Sequence, residues 1–318
     1  MGGQKTTKTS GFGAGKREGH DASDFYARFG IPELSSDETV NRCGCANTLF
    51  IGDSRNMRDI EDNSVALVVT SPPYFAGKEY EQALGEGGIP GSYIEYLEML
   101  RDVLAECRRV LEPGGRIAVN VANLGRKPYR SLASDVVRIL QDDLKLLLRG
   151  EVVWVKGEGA SGNCAWGSFG SASNPVLRDL SERVVIAGKG RFDRAIDRKR
   201  REKLGLPFEN SMSKETFMEL TLDVWKLRPE SARRVGHPAP FPVELPKRFC
   251  ELYTYVGDVV LDPFVGSGST AIAALRTGRR FIGFDTDGAY VQAAAQRIRQ
   301  EVGAGADVAV RKALGSGQ

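Results

Sequence analysis

From about residue 48 the chain alternates between two hydrophobic rhythms. "TLFIGD" (48–53), "SVALVVT" (64–70), "RIAVNVAN" (116–123), "EVVWVK" (151–156), "RVVIAGK" (183–189), "VVLDPF" (259–264) and "RFIGFD" (280–285) are short, nearly continuous apolar runs. That is the pattern of strands buried on both faces. Between them, apolar residues at helical spacing predict helices over 92–111, near 130–148, and over 242–255, 269–277 and 288–302. "EPGG" (112–115) stops the first of these. Strands alternating with helices predict an α/β fold with a doubly wound, mostly parallel sheet, which binds ligands at the carboxyl ends of its strands. The polar, basic stretch 190–235 interrupts the alternation. Residues 1–46 read as a flexible arm and 303–318 as a tail.

The unusual residues collect at those strand ends. "SPPY" (71–74) follows the second strand. Its two prolines remove two backbone donors and hold φ near about −65°, so neither helix nor central strand can continue. A stiff corner with free carbonyl oxygens and an aromatic face results. "LDPFVGSGST" (261–270) places Gly266 and Gly268 between a strand and a helix, where backbone can approach a ligand and helix N–H groups are free. Asp285 ends the next strand, at the distance where a carboxylate holds ribose hydroxyls. The turn and the acid alone suit a dinucleotide as well, or a structural tight turn with a capping Asp.

Composition narrows the chemistry. The 318 residues are 41% hydrophobic, enough for one large domain or two modest ones, and the net charge of +3 leaves nucleic-acid binding to local clusters. With only His20 and His237, and His20 in the opening arm, a histidine base has few candidates. Five cysteines (43, 45, 107, 164 and 250) contain no CxxC pair. Cys43 and Cys45 form a lone CxC, short of four zinc ligands, and read as reduced thiols. No apolar leader and no run of about 18 apolar residues occurs, so a cytoplasmic protein without a membrane partner is expected.

Taken together and in order, "SPPY" and "DPFVGSGST" resemble the DNA amino-methyltransferases that use S-adenosylmethionine. The tetrad precedes the glycine turn, which is similar to the permuted β class, where a target-recognition region separates the two halves. "GHPAPFPVEL" (236–245) is similar to that class's remaining cofactor motif. The resemblance spans roughly residues 48–300. It implies a catalytic half over 47–189, a recognition region over 190–235 and a cofactor half over 236–302, all on the S-adenosylmethionine methyltransferase fold. It implies that Asp262, Pro263, Phe264, Gly266, Ser267, Gly268, Ser269 and Thr270 line the cofactor. Asp285 would hold its ribose and Asp53 its adenine, with His237, Pro240 and Phe241 closing the pocket. His237 serves equally as a helix-entry residue bonded to backbone.

The tetrad suits an exocyclic amine, whose lone pair is delocalised into the base. Ser71 and the Pro72 carbonyl offer acceptors for its two N–H groups, Pro73 stiffens the corner, and Tyr74 offers a ring to stack on the base. Such a base must be flipped out of duplex DNA. Methyl transfer is then direct: no cysteine follows a proline, as the carbon-5 cytosine enzymes of this chemistry require. Ser at the first tetrad position favours cytosine N4, with adenine N6 as the alternative. An RNA methyltransferase, or a non-catalytic DNA-binding protein on this fold, is more remote. "WGSFGSASNPVLRDLSERVVIAGKG" (166–190) resembles a loop of the N4-cytosine branch, which reads His-Glu where this chain has Ser181-Glu182.

Double-stranded DNA is the expected partner, with a cognate restriction endonuclease possible and a monomer or homodimer as the working form. The run "RFDRAIDRKRREK" (191–203) supplies Arg191, Arg194, Arg198, Lys199, Arg200 and Arg201 for phosphates, against the alternative of a solvated helix face. Arg126, Lys127 and Arg130 follow the strand after "SPPY", and Arg178 either meets phosphate or pairs with Glu182.

Overall fold

The sheet is built outward from its most apolar strands. The computed structural model describes residues 34–75, 91–125, 128–157, 167–177, 179–230, 241–303 and 305–314. In chain order come β1 (Thr48–Ile51), β2 (Val65–Thr70), α1 (Tyr93–Val110), β3 (Leu111–Val121), α2 (Leu132–Arg138), β4 (Leu147–Val155) and β5 (Ser181–Gly188). Then follow α3 (Arg198–Lys203), α4 (Lys214–Leu220), β6 (Val224–Lys226), α5 (Glu244–Tyr253), β7 (Val259–Asp262), α6 (Ser269–Arg276), β8 (Arg280–Asp285), α7 (Gly288–Val302) and β9 (Ala309–Lys312). Among the described residues these strands make one nine-stranded sheet, ordered β6-β4-β5-β3-β2-β7-β8-β1-β9. All its pairs are parallel except β3 with β5 and β4 with β5, so the expected mostly parallel α/β sheet is what forms.

Every residue of β2 is buried, because helices cover both faces. One core cluster joins Val65 and Val68 to Leu100, Val103 and Leu104 of α1, and another joins Leu67 and Val69 to Leu245 and Phe249 of α5. Each such side chain contributes about 1.5–3 kcal/mol by leaving water. Ser92 caps α1, accepting from the Glu95 N–H at 3.2 Å. The helix ends at Val110, and the expected Pro-Gly-Gly stop (113–115) lies within the first half of β3, with Gly114 at φ 80°.

Three expectations change. The helix expected near 130–148 stops at Arg138 and continues as one wider turn, Ile139–Asp143, so β4 begins at Leu147 rather than 151. Residues 309–312, expected within a tail, add β9 beside β1. Residues 190–230 contain α3, α4 and the edge strand β6, and β6 joins this sheet by pairing with β4.

Two adjacencies position the site. β2, which carries the tetrad, lies beside β7, which carries the glycine turn: Leu67 pairs with Val260 and Val68 with Leu261. The antiparallel β5 runs toward the amino ends of its neighbours, Arg183 pairing with Val121 at the end of β3 and Gly188 with Leu147 at the start of β4. The chain before β5 therefore lies on the carboxyl edge of the sheet, and the chain after it on the opposite edge.

Candidate active site

Thr70 is the last residue of β2, and its hydroxyl donates to Asp262 Oδ1 at 2.7 Å at the end of β7. The other carboxylate oxygen of Asp262 accepts from Thr270 Oγ1 at 2.7 Å, and Oδ1 also takes the Phe264 N–H at 3.1 Å. One buried carboxylate thus ties the tetrad strand to the glycine turn and the start of α6. Asp262 does this from inside the protein. Burial pushes its acid up to about 6, against the lowering pull of the two threonines.

Gly268 caps α6 with φ 81°, and a Cβ there would lie 3.3 Å from the Ala294 Cβ of α7. Arg297 supports the turn from below, donating to the Ser267 carbonyl at 3.0 Å and to Ser269 Oγ at 3.2 Å. Ser269 in turn donates to the Phe241 carbonyl at 2.9 Å. Gly266 N–H donates to Asp285 Oδ2 at 3.1 Å, joining the turn to the acid that ends β8. Burial raises the Asp285 acid above its ordinary value. Among the described residues no basic side chain pairs with Asp262 or Asp285. Two carboxylates without a basic partner at adjoining strand ends favour positive charge nearby, which a sulfonium ligand would supply.

The tetrad closes on a network that the motifs did not reveal. Tyr74 O–H donates to Glu182 Oε2 at 3.0 Å and lies 3.0 Å from Ser71 Oγ. Asn120 Nδ2, from β3, reaches Glu182 at 2.5 Å, Tyr74 at 3.0 Å and Ser71 at 3.3 Å. Lys156, at the end of β4, forms an ion pair with the other Glu182 oxygen. Burial and the Glu182 charge raise the Tyr74 phenol well above its ordinary value, so it stays a donor. On the other side, Tyr96 of α1 donates to the Pro73 carbonyl at 2.7 Å, and Phe75 packs against both Tyr93 and Tyr96.

Tyr74 was expected to offer its ring to a base. Instead it is 8% exposed, with its ring in the core and its hydroxyl in the network. The signal for this network was available: Asn120 is a polar residue inside an apolar strand, and Glu182 opens another.

Other expected residues are placed differently. Asp53 forms a two-pronged pair with Arg55, at 2.8 and 2.5 Å, near the end of β1. Arg130 is held by Asp135 at 2.8 and 2.5 Å and lies over the Tyr93 ring. The phosphate role expected of Arg194 and Arg201 is corrected. Arg201 is buried and the Arg194 side chain is only 14% exposed, and both pair with Glu112 and Asp258, whose buried charges must be met. Arg191 and Arg200 pair with Glu38. Because β5 is antiparallel, the whole run, Arg198 and Lys199 included, sits on the edge of the sheet away from the tetrad. His237, Pro240, Arg126, Lys127 and Arg178 lie outside the described residues.

A family model described as DNA methylase matches residues 65–296, from β2 into α7 and so across both site halves. The chain belongs to the DNA methylase family. This methylase is 28% identical over 291 residues to the type II methyltransferase M.MjaI of Methanocaldococcus jannaschii, covering 80% of this chain and 90% of that one. It is 25% identical over 268 residues to the DNA adenine methyltransferase YhdJ of Escherichia coli K12, covering 80% and 83%. The solved structure of TTHA0409 from Thermus thermophilus, complexed with S-adenosyl-L-methionine, matches with a TM-score of 0.64 and 28% identity, over 86% of this chain and 100% of that one.

Proposed function

We propose that this methylase transfers the methyl group of S-adenosylmethionine to the exocyclic amine of a base flipped from duplex DNA, and that the base is cytosine and the atom N4. The observation that carries this is the Thr70–Asp262 bond, which puts the Ser71–Tyr74 corner next to the glycine turn. Bound at that turn, the cofactor supplies an electrophilic methyl on a sulfonium. The backbone from Pro263 to Gly268, with Ser269 and Thr270 at the start of α6, would line it, and Asp285 would take its ribose. Asp53, next to Asp285 at the sheet edge, would reach the adenine only by leaving Arg55.

The network explains how Ser71 serves as an acceptor. Tyr74 spends its proton on Glu182, so the contact between the two hydroxyls is filled by the Ser71 proton. Ser71 donates to Tyr74, Tyr74 to Glu182, and Lys156 holds the far carboxylate oxygen. A chain of donations toward an anion draws positive charge off the first oxygen and makes it a better acceptor. Ser71 Oγ then keeps a lone pair for an amine N–H, with the Pro72 carbonyl as the second acceptor. Holding both hydrogens localises the amine lone pair and aims it, and alignment supplies most of the rate. Pro73, fixed by Tyr96, keeps the corner from yielding.

Phosphates would be met from the stretches that follow β3 and precede β5, where Arg126, Lys127, Arg130 and Arg178 occur in sequence. The type II relatives suggest the modification half of a restriction–modification pair, or an orphan methylase. Adenine N6 is the second reading, favoured by the likeness to YhdJ. The test is to incubate duplex DNA with methyl-labelled S-adenosylmethionine and digest it to nucleosides. N4-methylcytosine is expected. Label only in N6-methyladenine overturns the base, and unlabelled DNA overturns the function.

A further inference from the structure

On the edge of the sheet away from the tetrad, the segment leading into β1 brings Cys43 and Cys45 against the turn that contains Glu61. The two sulfur atoms are 3.8 Å apart. A tetrahedral zinc ion with bonds of about 2.3 Å to each sulfur holds them about 3.8 Å apart, whereas a disulfide needs about 2.05 Å. Both Glu61 oxygens lie 3.3 Å from the Gly44 N–H, so the carboxylate sits over the residue between the cysteines. Glycine allows that approach: a Cβ at Gly44 would lie 3.0 Å from Glu61 Oε1. The two sulfurs and a Glu61 oxygen all fall within 4.8 Å of one another.

We infer that Cys43, Cys45 and Glu61 form a binding site for a thiophilic divalent cation, zinc being the natural occupant. Binding releases two thiol protons to solvent and leaves two Zn–S bonds and one Zn–O bond, with water as the fourth ligand. Cys45 is buried and Cys43 half-buried, while Glu61 is exposed, so the open coordination position faces solvent. The sulfur–sulfur contact lowers the Cys43 thiol and raises that of Cys45, and Arg280 also favours the Cys43 thiolate. Cys45 further donates to the Asp59 carbonyl at 3.3 Å, which draws it toward the same turn. The ion would clamp the chain entering β1 to the turn before β2. It stands apart from the tetrad, so it would take no part in methyl transfer.

The test uses the full chain, reduced and stripped of metal, titrated with Co²⁺ alone. One ion per chain is expected, with a thiolate-to-cobalt charge-transfer band and the visible bands of tetrahedral geometry, both displaced by Zn²⁺. Cys43→Ser and Cys45→Ser should abolish the bands, with folding checked by circular dichroism. Glu61→Gln, on the surface, should weaken binding about tenfold. Zn²⁺ should also protect both thiols of the wild type from alkylation. No bands, bands that survive both serine variants, or alkylation indifferent to Zn²⁺ would overturn the site. None of these outcomes bears on DNA methylation.

Discussion

The Tyr74 hydroxyl donates to Glu182 at 3.0 Å across 108 residues of chain, joining the proline corner after β2 to the start of β5. The bond exists because β5 enters the sheet antiparallel, which brings its start to the carboxyl ends of β2 and β3. Lys156 and Asn120 converge on the same carboxylate. In the proposed mechanism the acceptor strength of Ser71 would therefore depend on a residue outside the tetrad.

Glu182→Gln keeps the shape of this network but removes its charge. Turnover should fall about 100- to 1,000-fold, the range over which a single positioned polar group acts in such sites. Affinity for S-adenosylmethionine should change less than about threefold. Single-turnover methylation and equilibrium cofactor binding measure the two separately; equal loss in both would place Glu182 in the cofactor site instead.

Tyr74→Phe removes the hydroxyl while keeping the buried ring. If the hydroxyl matters, this variant loses turnover nearly as far as Glu182→Gln, and the double variant loses little more, since both act through one chain of bonds. A double-mutant cycle on the methylation rate decides this. Additive losses would separate the two residues.

Asp285→Ala removes the acceptor of the Gly266 N–H and the proposed ribose ligand. Cofactor affinity should fall at least about tenfold, read by calorimetry. Unchanged affinity would contradict the assignment.

Asp262 has its acid raised to about 6 by burial, above the unfolded value of 3.8. Between those values the native state holds a proton that the unfolded state has lost. Stability from this residue is therefore greatest below 3.8, declines as pH rises toward 6, and is level above it. Asp262→Asn should lose that decline. Melting temperatures of both proteins at pH 4.5 and 7 measure it, with the wild type gaining on the variant at the lower pH.

Arg201→Ala leaves Glu112 and Asp258 facing each other with Arg194 alone. Stability should fall by about 3–5 kcal/mol in chemical denaturation. Arg198→Ala with Lys199→Ala, on the same edge but exposed, should change DNA affinity less than about twofold. A large loss in the gel-shift assay would return this run to the DNA interface.

The sequence by itself determined the alternating α/β order, the strand ends at which the chemistry sits and the two motifs that make the site. These are local facts. Apolar runs, Pro-Pro stiffness and a glycine turn each act within a few residues, so composition and spacing expose them. Tertiary structure decided which edge of the sheet each connecting segment occupies. The basic run 191–203 carries the charge of a DNA contact, yet an antiparallel β5 turns it away from the tetrad and sets Arg194 and Arg201 against two buried carboxylates. The same reversal delivers Glu182 to Tyr74. Strand direction within a sheet follows from how distant segments pair and pack, and a buried charge is recognised only by its partners. Neither is written in the order of residues within one segment.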